Sequence, residues 1–161
     1  MNLSFIESLQ EGQAEADDYV KNKIEVDAIL KSVETSLKEF LGDESIKVCY
    51  AAETVVDEKK LESLSKNNNG LLNLGNTIAR LNAIVETGYT SIYLRKEVVN
   101  GDSSTMSSSE TLFSYKFGEQ VYPLEVRFRN NSFFCSGGEA LISMIRKLLS
   151  EGHTIRLLRS F

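Results

Sequence analysis

Apolar residues in the first forty positions recur at alternating steps of four and three. The row is Phe5, Leu9, Gly12, Ala16, Tyr19, Lys23, Val26, Leu30, Val33, Leu37 and Phe40, broken only at Gly12 and Lys23. A 3.5-residue repeat puts one stripe along one helix face, the pattern of a coiled-coil seam or a helix hairpin. Ile24, Ile29 and Leu41 widen the second half of that stripe, so this half can also pack on the rest of the chain. Gly12 weakens a helix interior by about 1 kcal/mol relative to Ala, so a short leading helix followed by a main one over 13–41 is expected. That main helix would be about 43 Å long, more than the width of a small domain. Pairing with a second copy through Leu9, Ala16, Tyr19, Lys23, Val26, Leu30, Val33, Leu37 and Phe40 is therefore the expected use of the seam.

After Gly42 the period changes. Ile46, Val48 and Tyr50 alternate with Lys47, Cys49 and Ala51, which predicts a half-buried strand over 45–56. Asp57 can cap a short helix running to about residue 65. Leu74, Ile78, Leu81 and Val85 have helical spacing, and Gly88 would close that helix. A strand is expected over 90–99, rich in β-formers. The stretch Asp102–Glu110 holds five serines in nine positions and reads as a mobile loop. Strands follow at 111–117, 121–128 and 132–135, with Pro123 making the second an edge there or placing its start nearby. An amphipathic helix over 139–150 and a closing strand over 154–158 complete the chain. Segregated runs of this kind favour an α+β fold: a long N-terminal helical arm over 1–42, then an α+β domain over 43–161 with a mainly antiparallel sheet and two to three packed helices.

Composition narrows the class of protein. With 161 residues, 42% hydrophobic and 25% charged, the chain suits a single globular core. No run approaches a membrane span, the start lacks a secretory pattern, and two cysteines suit free thiols in a reducing cytosol. Charge divides unevenly: residues 1–69 carry a net −7, and residues 70–161 a net +2. The acidic part would repel a polyanion and the other part is too weakly basic to hold one, so direct nucleic-acid binding is not expected.

Candidate chemistry is sparse. Ser136-Gly137-Gly138-Glu139, between a strand and a helix, reads first as a capping box. Its functional alternative is an anion site in which the Gly137–Gly138 amides, Ser136, Arg127 and Arg129 hold a nucleotide-like ligand. Cys135 precedes the same helix start, but the only histidine, His153, lies a whole helix away in sequence and reads as a helix-end residue. One histidine and two cysteines supply no zinc spacing, no acidic loop has the calcium pattern, and no cofactor motif is present. Strand aromatics such as Tyr89, Tyr93, Phe113, Tyr115 and Phe134 read first as core; their functional alternative is a stacking platform or, equally, a protein-binding hot spot.

Three functions follow from these features. The first is a non-catalytic, self-associating binding protein of inhibitor, immunity or adaptor type that acts by occupying a partner. The second is an oligomeric binder of a small nucleotide-like anion. An enzyme relying on Cys135 or His153 ranks third.

Overall fold

The computed structural model describes residues 5–43, 45–66, 80–99 and 105–161. It shows an α+β fold in the order α1 (Phe5–Leu41), β1 (Ile46–Val56), α2 (Glu58–Lys66), β2 (Ile84–Val99), β3 (Thr105–Gly118), β4 (Val121–Phe128), β5 (Asn131–Cys135), α3 (Gly138–Ser150) and α4 (Gly152–Ser160). The five strands form an antiparallel meander in sequence order. Strands consecutive in the chain are neighbours in the sheet, although residues 57–83, with α2, separate β1 from β2.

Register assigns the two faces. Val48 pairs with Leu94, Ile92 with Phe113, Tyr115 with Val126, and Leu124 with Cys135. These residues share the inner face, and most are fully buried. The second half of α1 lies on that face and presses Val26, Leu30, Val33 and Leu37 into the core. Helix α3 runs beside it and buries Leu141, Ile145 and Leu148. Each of these aliphatic side chains contributes about 1.5–3 kcal/mol of burial free energy. Helix α4 packs on α3 through Thr154 and Leu158, one turn apart.

Several expectations give way to tertiary context. Gly12 does not divide α1, which is a continuous helix of 37 residues. Among its described residues the expected helix over 74–85 is helical only at 80–82: Ile84 and Val85 pair with Val56 and Val55, so β2 begins there and Gly88 (φ 80°) lies inside the strand. Its earlier residues, 74–79, lie outside the described residues. The serine run is strand as well, from Thr105 onward. Ser107, Ser108 and Ser109 pair with Glu97, Lys96 and Arg95, so backbone hydrogen bonds carry a sequence with no apolar side chains. Residues 102–104 of that run lie outside the described residues.

Pro123 does not mark an edge, since β4 lies between β3 and β5, but it stands near the start of that strand, in keeping with the alternative. It falls where the β3–β4 ladder shifts register, so its missing N–H breaks no regular pair. Gly118 faces this site, and a Cβ there would stand 2.7 Å from the Pro123 carbonyl oxygen. The closing segment is helix α4 rather than a strand. Its β-branched Thr154 and Ile155 suggested an extended conformation, but burial of Thr154 and Leu158 on one side decides for helix.

Candidate functional site

The helical arm is divided by burial. Every residue from Phe5 to Lys21 is exposed, a length of about 25 Å. The helix meets the body at Asn22, whose Nδ2 donates to the Gln120 carbonyl at 3.2 Å, and at Glu25, which accepts from the Tyr122 hydroxyl at 2.9 Å. Of the expected association residues, Val26, Leu30, Val33 and Leu37 are core of the chain's own body. Leu9, Ala16, Tyr19 and Lys23 lie on the free half, and Phe40 is exposed near the far end. The boundary between arm and body thus runs within α1, near Asn22. Phe5, Ile6, Val20 and Ile24 extend the exposed stripe, each more than half exposed. Ile6 and Val20 stand off the strict seam, which is why stepping by fours and threes passes over them.

The outer sheet face is polar and tightly paired. Tyr89 is buried there beneath the Arg127 guanidinium, 3.7 Å from its ring centre, with the Lys116 ammonium at 5.4 Å. The Tyr89 hydroxyl donates to Glu125. Burial, then this carboxylate partner, pushes the Tyr89 phenol up, while the bonds from Tyr89 and Ser132 lower the Glu125 carboxyl. Beside them the Ser91 hydroxyl donates to Glu53 Oε1 at 2.8 Å, and the Ser114 hydroxyl donates to the same oxygen. Phe134 stands exposed on this face beside Glu125.

Where this face meets α4, a cavity of about 370 Å³ opens. Arg127, Arg129, Glu53 and Ser114 line it from the sheet, and His153 and Thr154 from α4. Arg127 and Arg129 are thus brought together as expected, but Ser136, Gly137 and Gly138 are not among its lining residues. The hairpin turns at Arg129–Asn130 and β5 then runs back past Leu124, which carries the glycines to the opposite end of β4. The N-terminus of α3 is also approached by an anion of the chain's own. A Cβ on Gly138 would stand 2.3 Å from Glu25 Oε1, so glycine lets the carboxylate reach the positive end of the helix dipole. Ser136 forms no capping box, because Gly137 is the N-cap and no side chain bonds there.

The remaining candidates are separated. Cys135 is buried under the sheet, burial pushes its thiol up, and it pairs across from Leu124 rather than lining the cavity with His153. His153 stands in the first turn of α4, not at the end of α3 as expected. Sequence reading missed Thr154 and Glu53 as cavity residues. The one-turn spacing of Thr154 and Leu158 was the available signal for the first, and nothing local marks the second. Among the described residues no cluster of three or more metal-ligating side chains occurs, and no helix is long and apolar enough to cross a membrane. The chain matches no protein-family model, no curated protein and no solved structure.

Proposed function

We propose that the protein is a self-associating binding protein of adaptor or inhibitor type, working in a reducing compartment such as the cytosol, which occupies a partner as a dimer joined through the free half of α1. The exposed apolar stripe on that half carries the reading. A lone solvated helix of this length is marginal in water, and an apolar stripe along it has a use only against another surface.

Charge and shape favour a second copy in antiparallel orientation. Acids Glu7, Glu11, Glu15, Asp17 and Asp18 fill the outer turns, and Lys21 and Lys23 stand at the base. Parallel pairing sets acids beside acids, whereas antiparallel pairing brings each base lysine alongside the partner copy's first turns. Centred near Ala14, antiparallel pairing stacks Leu9 on Tyr19, Phe5 on the Lys23 stem, and Gly12 on Ala16. The small pair falls at the middle, where the backbones approach most closely. Three heptads make a small contact, so the dissociation constant should be on the order of micromolar. Two bodies at opposite ends of the paired arms then present two copies of the Phe134 face to a partner, which strengthens binding through valency.

Sedimentation velocity over a range of concentrations tests this reading, comparing the parent with a Leu9→Glu, Val20→Glu variant. The parent should pass from monomer to dimer while the variant stays monomeric, both unfolding with the same midpoint in dilute solution. A parent that stays monomeric, or a variant that dimerises equally well, would overturn it.

A further inference from the structure

We propose that the cavity between the outer sheet face and the start of α4 binds a phosphorylated small molecule, its phosphate held by Arg127, Arg129 and Thr154. This site is independent of the arm and stands or falls separately from it.

Four observations converge on an anion. Thr154 is 2% exposed and among the residues that line the cavity, and its Oγ1 has no hydrogen-bond partner. Buried hydroxyls are nearly always bonded, so an orphan at a cavity wall marks a missing partner. The first turn of α4 adds backbone donors. Ile155 N–H makes the first bond of that helix, to the Glu151 carbonyl, and Glu151 supplies no side-chain cap. The amides of Gly152, His153 and Thr154 therefore precede the helical ladder, at the positive end of the dipole.

Two guanidinium groups complete the cationic end. Arg127 lies over the Tyr89 ring, and its ion pair is a long one, Nε standing 3.9 Å from Glu125 Oε1. Arg129 makes no ion pair among the described residues and holds its backbone at φ 55°. That is the first position of the two-residue turn between β4 and β5, where a positive φ favours glycine. An arginine kept in a conformation suited to glycine is locally unfavourable, and such positions cluster at functional sites. Planar forked donors suit phosphate oxygens.

The rest of the lining indicates what the phosphate is attached to. Glu53 is the acid lining the cavity, and the Ser91 and Ser114 hydroxyls both donate to its Oε1. Its other oxygen can accept from a hydroxyl or amine of the ligand, while Leu112 and Leu157 give an apolar side. A phosphate on the guanidinium groups and a hydroxyl-bearing portion against Glu53 describe a sugar phosphate or nucleoside monophosphate. The volume exceeds what a bare phosphate ion would fill.

The test is calorimetric titration of the full-length protein with inorganic phosphate and, separately, with a nucleoside 5′-monophosphate. Parallel measurements use Arg129→Gly and Thr154→Val. Glycine suits the backbone at 129 and valine removes the orphan hydroxyl at similar volume, so both variants should melt at or above the parent temperature without ligand. Each should weaken binding about tenfold or more, the loss of one charge-assisted or buried hydrogen bond. Tighter binding of the monophosphate than of phosphate assigns the Glu53 end its role, and binding of phosphate alone overturns that half of the proposal. No heat from either probe with the parent, or equal affinity in parent and variants, overturns the site itself.

Discussion

Two leucines on one helix separate the roles assigned to the two halves of α1. Leu30 is 4% exposed and packed in the core, whereas Leu9 is 73% exposed on the arm. Replacing either with alanine changes helix propensity little, and by the same small amount. At Leu30 the change removes three carbons from the interior, about 0.8 kcal/mol each, and leaves a cavity between α1 and the sheet. The expected loss is about 2–5 kcal/mol, a substantial share of the roughly 5–15 kcal/mol that holds a domain together. At Leu9 the unpaired monomer has nothing to lose, and the change should stay within about 0.5 kcal/mol. In the dimer each Leu9 lies on the partner copy's stripe, and symmetry counts the substitution twice. A loss of about 2–3 kcal/mol per dimer weakens association about 30- to 150-fold. Urea unfolding followed by circular dichroism, in solutions dilute enough to keep the arms apart, measures the first quantity. Sedimentation at rising concentration measures the second. If Leu9→Ala destabilises the dilute monomer as much as Leu30→Ala does, the arm packs on its own body and the division of α1 is wrong. If it leaves both quantities unchanged, the stripe is not an interface.

Further outcomes follow from the same geometry. Gly118→Ala places a methyl against backbone, the Pro123 carbonyl, which cannot swing aside; it should cost about 1–3 kcal/mol in urea unfolding, and a neutral result would refute the tight turn. Glu125 has a lowered pKa in the fold, so its contribution is present above the ordinary carboxylate range and fades as pH falls through its lowered folded value. The stability gap between parent and Glu125→Gln should therefore be largest near neutrality and close in acid; a gap independent of pH would contradict this pairing. In the antiparallel dimer Glu15 approaches its own copy near the two-fold axis, so Glu15→Gln should tighten association by a few tenths of a kcal/mol, and weaker association would argue against that orientation.

Much of the architecture can be read from the sequence, because α1, β1, β4 and α3 announce themselves through their periodicity. What escapes such reading depends on contacts remote in the chain. Ile84 and Val85 fit a helical row with Leu81, and only their pairing with Val56 and Val55 makes them strand. Ser107–Ser109 carry no hydrophobic signal in either period, yet the β2–β3 hairpin uses their backbone alone. The cavity was half visible, since Arg127 and Arg129 stand out on an alternating strand. Its other half depends on α4 being a helix, which Thr154 and Ile155 disguise. The glycine pair at 137–138 was the most conspicuous anion motif, and its helix end is met by Glu25 from more than a hundred positions earlier.

Thiol pairing across the arms puts the central claim to its most direct test. In a protein carrying Cys49→Ser, with Cys135 left buried, single cysteines are placed on the exposed helix as Gly12→Cys, Ala16→Cys or Ser8→Cys. Antiparallel pairing sets residue 12 of one copy against residue 16 of the other, and holds the two copies of residue 8 about 20 Å apart along the axis, beyond disulfide reach. Under mild oxidation an equal mixture of the Gly12→Cys and Ala16→Cys proteins should yield the mixed disulfide dimer, identified by mass, while Ser8→Cys alone stays monomeric. Ready linkage of Ser8→Cys to itself, or no linkage in the mixture, would contradict the account.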